Sequence, residues 1–460
     1  MSAVTTTTEA ESRQGLRRAA SAGLVGTTLE FYDHFVFGSA AALVFPKLFF
    51  PQDDRSLATL LSMVIYAVAF IARPIGGAAF GHFGDKLGRK AVLLSTLVMM
   101  GTATVLIGLL PTYATLGLWA PILLVLLRSI QGFALGGEWG GAALLVAEFD
   151  PAGRRRGFFG SLVQVASPIG VLLANAVFAI VTWSVSEQAF FSWGWRIPFL
   201  ISTVLIVYGI YVRSQIGESP IFEDMARQEA AARSPIVETL RDHWGRLLLA
   251  IGSRAGEGVI FYVFSLFLLI YGPQHLGITR STGLVAVIMG AGVGVVAIPF
   301  FGWLSDRVGR VPVVIGGAVG AAIWSVLYFL LLHTRNPTII VIAGMIGMFF
   351  QAALWAPAAA FVPEMFPAQV RCTAASIAFQ TALVFGGAFS PVAAVWLVSK
   401  FDTWIPVAAY SIISLIVVII CAASVGETLG VDLTAKPQRD QPLDGRATRH
   451  GRAVKALRTS

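Results

Sequence analysis

Ionisable side chains inside long apolar runs are the residues of this sequence best placed to do chemistry. Each one costs about 2.5–3.5 kcal/mol at the centre of a bilayer unless it is paired or hydrated. Seven unpaired groups would together cost roughly 18–25 kcal/mol, more than the stability of a typical fold. We therefore expect them to face one another or a shared water-accessible chamber, where they would bind charged solutes or protons. The seven residues are Glu30, Asp33, Arg73, Arg128, Glu138, Arg254 and Glu257.

Two acids near the start of the chain are candidates for proton binding. Glu30 and Asp33 are three residues apart, so a helix places both carboxyl groups on one face. Two close carboxylates in a low-dielectric cavity favour retention of a proton by one of them, and the alternative is a structural ion pair with Arg128 or Arg73. His34 can titrate near neutral pH, although it points about 100° away from Asp33 and can face a neighbouring helix. The predicted proton-coupling residues are Asp33, Glu30, Glu138 and His34.

Arginines inside the membrane are candidates for binding an anionic solute. A guanidinium binds a carboxylate through two parallel hydrogen bonds, which makes Arg128 and Arg254 possible anchors. Alternatively, Arg254 only neutralises Glu257, one helical turn away. Arg73 precedes Pro74 and can instead organise a bend by binding helix carbonyls. Aromatic side chains that stack on a ring and amide side chains that bond hydroxyl groups would suit a cyclic polyol acid. The predicted solute-binding residues are Arg128, Arg254, Glu257, Tyr262, Gln351, Trp355, Tyr32, Gln131 and Arg73.

The composition requires membrane helices to position these residues. The chain has 460 residues, of which 56% are hydrophobic and 13% are charged, against about 25% charged residues in soluble domains. Spans of about 20 apolar residues allow twelve helices. The predicted fold class is an all-α membrane protein with twelve transmembrane helices in two pseudo-symmetric six-helix bundles. The apolar runs are 19–45, 58–80, 91–110, 118–148, 157–182, 195–213, 247–271, 282–304, 311–333, 338–362, 372–399 and 403–424.

The positions of lysine and arginine predict the orientation of these helices. Most basic residues fall in segments on one side of the predicted membrane, which the positive-inside rule assigns to the cytoplasm together with both termini. The run 19–45 is too long for a signal-peptide core and contains two acids, so it is predicted to be the first membrane helix. The net charge of +8 is spread between apolar runs, a pattern that argues against nucleic-acid binding. The predicted outer segments contain Lys47, Arg55, Arg196, Arg280, Arg335 and Lys400.

Two motifs recur in the two halves of the chain. GHFGDKLGRK begins at Gly81 and its weaker copy GWLSDRVGR begins at Gly302, an offset of 221 residues; AEFDPAGRR and PEMFPAQVR form a second pair at an offset of 216. Such duplication predicts a transporter with its solute site at the midplane between the halves. Asp85 and Asp306 can cap the next helix or pair with a basic residue at a neighbouring helix end, which would stabilise the state closed to the cytoplasm. The predicted cytoplasmic gate comprises Gly81, Asp85, Gly88, Arg89, Asp306, Arg310, Glu148, Arg155, Glu364 and Arg371.

The first loop motif resembles the signature of the major facilitator superfamily. GTTLEFYDHFVFG, ARPIGG, RSIQGFALGGEWGGAA, GWRIPF and GESPIF further resemble its metabolite:proton symporter branch, and within that branch the shikimate-type transporters. The resemblance implies the superfamily's twelve-helix fold, with helices 1, 4, 7 and 10 around a central cavity, and proton-coupled symport of a small organic acid by alternating access. The sequence departs from the branch at Phe31 and His34, where EWYDF is usual, and at Val311, where a basic residue ends the motif.

Several other functions are compatible with parts of the sequence. A proton/metabolite antiporter of this fold usually carries a glycine-proline motif in helix 5, to which only Ser167, Pro168 and Gly170 are similar. A betaine-type osmolyte symporter is a further alternative. A membrane-embedded enzyme would need clustered metal ligands or nucleophiles, whereas the six histidines are scattered. We predict no enzymatic activity, cofactor or metal site, and a monomer of the bacterial cytoplasmic (inner) membrane whose partners are an organic acid, a proton and lipid.

The charge and apolar patterns also predict five regions. Residues 1–18 and 427–460 are assigned to cytoplasmic tails, 19–213 and 247–426 to the two six-helix bundles, and 214–246 to a cytoplasmic linker with short helices. The first dozen residues and the tail after Gly430 are predicted to be disordered, because they are polar and have few apolar residues to bury.

Overall fold

Every regular element in the described part of the chain is helical. The computed structural model describes residues 9–51, 55–150, 155–215, 217–218, 222–223 and 234–433. Twelve long helical segments match the twelve predicted apolar runs and confirm the predicted fold class. Their bounds are α1 Glu9–Leu43, α2 Arg55–Leu87, α3 Arg89–Leu109, α4 Trp119–Glu148, α5 Arg156–Ser184, α6 Ile197–Ser214, α7 Trp244–Tyr271, α8 Arg280–Val308, α9 Arg310–Leu332, α10 Pro337–Glu364, α11 Arg371–Phe401 and α12 Ile405–Val425. Short helices are Phe45–Leu48, Tyr113–Leu116, Glu187–Ser192 and Pro235–Asp242.

The first helix differs most from its prediction. α1 begins at Glu9, ten residues before the predicted start at position 19. Its early turns are held by packing, since Leu16 is buried in an apolar cluster with Val146 of α4. In the described residues, eleven helices are long and apolar enough to cross a membrane, and α1 is the segment not among them. Because α1 carries Glu30 and Asp33 in mid-helix, its polar side chains need partners within the protein.

The two halves of the molecule meet along two equivalent helix pairs. α2 packs against α11, and α5 packs against α8. α8 and α11 are the second and fifth helices of the C-terminal half, so the internal repeat relates these two contacts to each other. These four long helices form the two main contacts between the halves, and α4 and α10 add further contacts across the interface.

Close approach of α2 and α4 depends on glycine. A Cβ atom on Gly136 would lie 2.2 Å from the carbonyl oxygen of Arg73, and one on Gly132 would lie 2.5 Å from that of Ala69. Any side chain at these positions would clash with the backbone of α2, so the glycines hold the two helices in direct contact. Arg128 lies one helical turn before Gly132, which places it beside α2 at the depth of the membrane interior.

Three helices of the C-terminal half are irregular within their spans. α7 breaks at Ser265, whose φ and ψ are −119° and −83°. α11 contains a π-helical turn, Val384–Phe389, and α10 is interrupted at Pro357. A Cβ atom on Gly258 of α7 would lie 2.7 Å from the Cα atom of Gly386, so the π-helical turn packs directly on α7. Such interruptions are typical of transporter helices that line a site or bend during function.

Part of the predicted linker 214–246 lies in the described residues. Its helix Pro235–Asp242 contacts α2 of the first half and α11 of the second half, as well as α7. It lies at the end of the bundle where α1 begins and α12 ends, which we call the terminal face. Residues 1–8, 224–233 and 434–460, which belong to the predicted tails and linker, lie outside the described residues.

Candidate functional site

The seven predicted ionisable residues all point into the protein. Their exposed fractions lie between 0% and 4%, so none faces lipid. Their contacts group them into separate clusters rather than one. This separation indicates distinct tasks for residues that the sequence treats alike.

One cluster joins two arginines and a histidine from three helices, and we call Arg73, Arg128 and His34 the cationic cluster. Nη2 of Arg73 on α2 lies 3.3 Å from each ring nitrogen of His34 on α1. Nη2 of Arg128 on α4 lies 3.1 Å from Nδ1 of the same ring. The hydroxyl of Tyr66 is 3.1 Å from His34 Nε2, and Arg73 lies 4.5 Å from the centre of the Phe70 ring. His34 therefore contacts both arginines instead of an acid.

Neither arginine of the cationic cluster forms an ion pair with a carboxylate among the described residues. Arg128 donates to Gln131 Oε1 at 3.0 Å, and Nε of Arg73 is buried without a hydrogen-bond partner in the described structure. The alternative drawn from the sequence, an ion pair of Asp33 or Glu30 with one of these arginines, is not observed. Two buried positive charges thus lie beside His34 without a counter-ion from the described chain.

Asp33 points to the other side of α1 and is bound by hydroxyl groups. Ser202 of α6 donates to Asp33 Oδ1 at 2.5 Å, and Thr104 of α3 faces the same carboxyl group. Gln131 donates through Nε2 to Thr104 Oγ1 at 2.8 Å and accepts through Oε1 from Arg128 at 3.0 Å. A chain of polar side chains therefore connects Asp33 with the cationic cluster.

Glu30 has a partner that the sequence did not indicate. Arg213 of α6 lies 2.9 Å from Glu30 Oε1 and 3.0 Å from Glu138 Oε1, and Thr27 donates to the same Glu138 oxygen at 2.5 Å. We call Glu30, Glu138 and Arg213 the acid triad. Glu30 and Asp33 do share a face of α1, since both contact α6, but they bind different residues of it. Arg213 is the last residue of the predicted apolar run 195–213, and the sequence analysis did not single it out.

Arg254 and Glu257 of α7 form an ion pair of 3.3 Å. Gln351 of α10 donates to Glu257 Oε1, and the Arg254 guanidinium lies 4.9 Å from the ring centres of Trp355 and Phe379. The sequence left open whether Arg254 anchors a solute or only neutralises Glu257. The geometry shows the neutralising pair, so the charge of Arg254 is already compensated.

Two tyrosines predicted for the solute site have packing contacts instead. Tyr32 donates its hydroxyl to the carbonyl oxygen of Pro198 at 2.8 Å. Tyr262 belongs to the large apolar cluster of the C-terminal half, with its ring 6.3 Å from that of Phe267. Both side chains are explained by the packing of their own half.

Aromatic side chains join the two halves near the middle of the interface. Trp139 of α4 stacks on Phe379 of α11 with 3.6 Å between ring centres, and its Nε1 donates to Gln164 Oε1 at 2.6 Å. Gln164 Nε2 donates to the Trp355 carbonyl and Trp355 Nε1 donates to the Gln164 carbonyl, both at 3.1 Å. Of these four residues the sequence suggested only Trp355 as a site residue, because the contacts of the other three depend on how the two halves pack.

Asp85 caps a helix of the opposite half. Its carboxylate accepts hydrogen bonds from the backbone N–H groups of Cys372 at 3.1 Å and Thr373 at 2.9 Å, and from the Thr373 hydroxyl at 2.8 Å. These amides belong to the first turn of α11, where a helix favours negative charge. Arg89, four residues further on in the same loop motif, pairs with Asp85 at 3.3 Å. Asp85 therefore caps α11 rather than the next helix, α3.

Asp306 makes the equivalent contact in the other direction. It accepts hydrogen bonds from the N–H groups of Gly157 and Phe158, both at 2.8 Å, in the first turn of α5. Arg310 pairs with it at 2.7 Å. The two aspartates of the repeated loop motif thus tie each half to the other at the terminal face.

Two glutamates complete this closed face. Glu148 Oε1 lies 3.1 Å from Arg89 and 3.5 Å from Arg371 of the other half. Glu364 Oε2 lies 3.4 Å from Arg310. Each glutamate therefore binds the arginine of the repeated loop motif in its own half.

Arg156 joins Arg89, Arg310 and Arg371 as the fourth arginine of the terminal face. The prediction of Arg155 for this position is wrong. Arg156 Nη1 lies 3.2 Å from Glu364 Oε1, which makes it the repeat-related equivalent of Arg371. α5 begins at Arg156, so this side chain projects between the halves. Arg155 precedes the helix, is exposed, and donates its backbone N–H to Asp150 at 2.7 Å.

Two glycines of the predicted gate are explained by backbone geometry. A Cβ atom on Gly81 would lie 2.6 Å from the Cα atom of Thr373, so glycine permits the contact of α2 with α11. Gly88 has a φ of 102° between α2 and α3, a conformation that favours glycine. Beside it, Glu218 accepts a hydrogen bond from the Arg89 N–H at 2.9 Å and so caps α3.

The last described residues, 431–433, lie across the closed face. Arg156 donates to the Val431 carbonyl at 2.8 Å, and Arg371 donates to the Leu433 carbonyl at 3.0 Å. Leu433 is 1% exposed and packs against alanines from both halves. We call Val431–Leu433 the strap. The disorder predicted directly after Gly430 is therefore wrong for these three residues, because two gate arginines bind their carbonyl groups.

Comparison with known proteins agrees with this architecture. The chain matches the families described as Sugar (and other) transporter over residues 19–245 and Major Facilitator Superfamily over residues 256–459. It is 40% identical over 386 residues to the inner membrane metabolite transport protein YhjE of Escherichia coli (strain K12), which covers 83% of this chain and 87% of that protein. It is also 40% identical over 398 residues to the shikimate transporter of the same organism, covering 86% and 91%.

A solved structure shows the same fold. The proton:xylose symporter XylE bound to 6-bromo-6-deoxy-D-glucose is 21% identical, with a TM-score of 0.74 over 92% of this chain and 98% of that chain. The relatives are transport proteins, in agreement with the prediction that the chain is not an enzyme. The repeated loop motifs, the two six-helix halves and these similarities together show that the chain belongs to the major facilitator superfamily, among its membrane metabolite transporters.

Proposed function

We propose that this transporter carries a small organic acid together with a proton by alternating access. The observation that carries the proposal is the cationic cluster, in which Arg73 and Arg128 are 4% and 0% exposed and pair with no described carboxylate. A buried charge without a partner costs several kcal/mol, so a bound anion would stabilise both arginines at once. A solute carboxylate is such an anion.

The arrangement of the cationic cluster suits one carboxylate. Arg73 and Arg128 approach His34 from two helices, and a carboxylate between them can accept parallel hydrogen bonds from a guanidinium. The ring faces of Phe37 and Phe70, 4.2 Å and 4.5 Å from the two guanidiniums, exclude water from this region. The anchor is therefore Arg128 with Arg73 rather than Arg254, whose charge Glu257 already balances.

Asp33 is the proposed proton site. It has hydroxyl partners but no cation among the described residues, so ionising it would leave an uncompensated charge in the membrane interior. A bound proton removes this cost. Thr104 and Gln131 connect Asp33 to Arg128, so the charge of the proton site and the charge of the solute site affect each other over a short polar path.

The terminal face is proposed to be cytoplasmic, with both termini on that side. The basic residues support this orientation through the positive-inside rule. In the structure, Asp85, Asp306 and the strap close that face, so the solute would enter from the opposite side. Opening to the cytoplasm then requires separation of α2 from α11 and of α5 from α8.

The proposed solute class is a monocarboxylate with a polar ring, of which shikimate is one. The relative named for shikimate transport supports this class. A betaine would also supply a carboxylate, but its quaternary ammonium needs free aromatic faces. Arg254 already lies over the rings of Trp355 and Phe379, which leaves those faces occupied. The organic acid is therefore the better candidate.

Uptake into proteoliposomes tests the proposal. A panel of shikimate, quinate, hydroxybenzoate, oxoglutarate, citrate and betaine would be offered with and without an inward proton gradient. For a monoanion carried with one proton, transport is electroneutral, and a gradient of one pH unit provides about 1.36 kcal/mol, or roughly tenfold accumulation. We expect a carboxylate of the panel to reach this level.

Single substitutions test which residues are responsible for uptake and for its dependence on the proton gradient. Arg128→Gln should abolish uptake, whereas Arg241→Gln, at a side chain 82% exposed, should not change it. Asp33→Asn should remove the effect of the proton gradient while solute exchange across the membrane continues. Accumulation driven by an outward proton gradient would show an antiporter, and gradient-driven accumulation of betaine alone would contradict the organic-acid assignment.

A further inference from the structure

The acid triad contains more negative than positive charge in a sealed position. Glu30 is 0%, Glu138 1% and Arg213 2% exposed. One guanidinium contacts two carboxyl groups, at 2.9 Å and 3.0 Å. With both carboxyl groups ionised, the triad would carry one uncompensated negative charge in the membrane interior, which is strongly unfavourable.

The groups around the triad do not supply a second cation. α1 contributes the Thr27 hydroxyl, which donates to Glu138, and α3 contributes the Leu93 carbonyl, which accepts from Arg213. α4 and α6 contribute Glu138 and Arg213 themselves, and no other described charged side chain contacts the three. The excess charge is therefore not balanced by any neighbouring helix in the described structure.

One carboxyl oxygen marks where a proton would bind. Glu30 Oε2 is buried without a hydrogen-bond partner, whereas Oε1 of the same group receives Arg213. The carboxyl groups of Glu30 and Glu138 also face each other. A proton on Glu30 Oε2 would neutralise the triad and leave Arg213 paired with Glu138.

We propose that the acid triad is a second proton-binding site, which holds one proton between Glu30 and Glu138 and receives the proton that leaves Asp33. Glu30 lies three residues before Asp33 on α1, about 4.5 Å closer to the terminal face. Arg213 is the penultimate residue of α6, near the same face. The triad first releases its own proton at the terminal face. One proton then moves from the Asp33 carboxyl to the vacated carboxylate, which leaves Asp33 ionised and the triad neutral again.

This proposal rests on the proposed proton coupling and extends it to the path of release. Arg213 is a positioning residue in this account, because it holds two carboxyl groups together without accepting the proton. Its place across α1 requires Gly26, where a Cβ atom would lie 2.3 Å from Arg213 Nε.

Infrared spectroscopy of the full-length protein in liposomes tests the site directly. The carbonyl band of protonated carboxylic acids at neutral pH should contain contributions from Asp33 and from the triad. Asp33→Asn should leave the triad's contribution in place. Glu138→Gln should remove it, because the remaining Glu30 and Arg213 form a balanced pair and Glu30 ionises. Glu257→Gln, which changes the already balanced pair of α7, should leave both contributions unchanged.

Two results would overturn the proposal. The first is a carboxylic-acid band that is identical in the wild type, Glu30→Gln and Glu138→Gln, since both carboxyl groups of the triad would then be ionised. The second is a Glu138→Gln protein with an unchanged ratio of gradient-driven accumulation to solute exchange; we expect that ratio to fall roughly tenfold. Should Glu138→Gln fail to fold, Glu30→Gln provides the same comparison. Absence of gradient-driven uptake in the wild type would refute the proposed symport, while the infrared band would still report on the triad separately.

Discussion

Replacing Asp306 by asparagine should open the terminal face of this transporter. In the closed structure the carboxylate accepts hydrogen bonds from Gly157 and Phe158, both at 2.8 Å, and pairs with Arg310 at 2.7 Å. Asparagine keeps one carbonyl acceptor but loses the charge. Because the two amide contacts join α8 to α5 of the other half, they stabilise only the state in which the halves are in contact at this face.

The expected loss is about 2–4 kcal/mol. A hydrogen bond to a charged acceptor contributes about 1.5–3 kcal/mol, and a negative charge at a helix N-terminus contributes about 0.3–1 kcal/mol. Loss of one such bond and of the charge favours the open state by roughly 30- to 700-fold, at about 1.4 kcal/mol per factor of ten.

The native Cys372 reports on this opening. It is 0% exposed, and its sulfur would lie 2.7 Å from a Cβ atom on Gly84, which places it in the contact of α2 with α11. A water-soluble thiol reagent should reach it only when the halves separate at the terminal face. With the other cysteine removed by Cys421→Ser, the alkylation rate in Asp306→Asn should rise by roughly the factor given above.

The matched control is Asp402→Asn, the same chemical change at an exposed residue that follows α11. It should leave the alkylation rate of Cys372 unchanged. An unchanged or slower rate in Asp306→Asn, or an equal rise in both variants, would refute the assignment of Asp306 as a contact that keeps the face closed.

Three further substitutions test separate contacts. Leu433→Asp should also accelerate alkylation of Cys372, because a charged side chain cannot remain in the apolar contact between the strap and the two halves. Gly136→Ala should lower the thermal unfolding temperature, since its Cβ atom would meet a carbonyl oxygen at 2.2 Å and overpacking costs about 1–3 kcal/mol, whereas Gly316→Ala, with open space around it, should not. Arg156→Ala should lower the free energy of unfolding by about 3 kcal/mol, and Arg155→Ala by less than about 0.5 kcal/mol. An unchanged alkylation rate in Leu433→Asp would contradict the strap contact, and equal unfolding temperatures of the two glycine variants would contradict the close approach at Gly136. Equal losses of unfolding free energy in the two arginine variants would contradict the role of Arg156.

The fold followed from the sequence because lipid imposes a simple requirement. Apolar runs of spanning length can only be helices in a bilayer, and the repeated loop motif showed that the chain consists of two related halves. The start of α1 was missed by ten residues because its first turns are polar, and only packing of Leu16 against the neighbouring helices explains why they are helical.

The sequence predicted which residues belong to the candidate site, but it did not predict which residues they contact. Burial cost identified Glu30, Asp33, Arg73 and Arg128 correctly as inward-facing groups. Their partners depend on tertiary contacts that no local spacing encodes. Arg213, for example, meets Glu30 from 183 positions away in the chain.

The contacts of the cytoplasmic gate residues were likewise not predictable from the sequence. The sequence repeat aligns Arg155 with Arg371 of the second half. In the structure α5 begins one residue later, at Arg156, and the side chain of Arg156 points into the interface between the halves. The sequence offers Asp85 the next helix or a basic residue at a neighbouring helix end as partners, whereas the structure places it against the first turn of α11 in the other half, a contact that no local repeat encodes.

The central claim is that the cationic cluster binds the carboxylate of the solute. The most direct measurement is calorimetric binding of the accumulated carboxylate and of its uncharged carboxamide to the wild type, Arg128→Gln and Arg241→Gln. The account predicts that the wild type and Arg241→Gln prefer the carboxylate by roughly tenfold or more, about 1.4 kcal/mol, and that Arg128→Gln loses this preference. Equal affinity of the wild type for both compounds, or a preference that survives in Arg128→Gln, would contradict it.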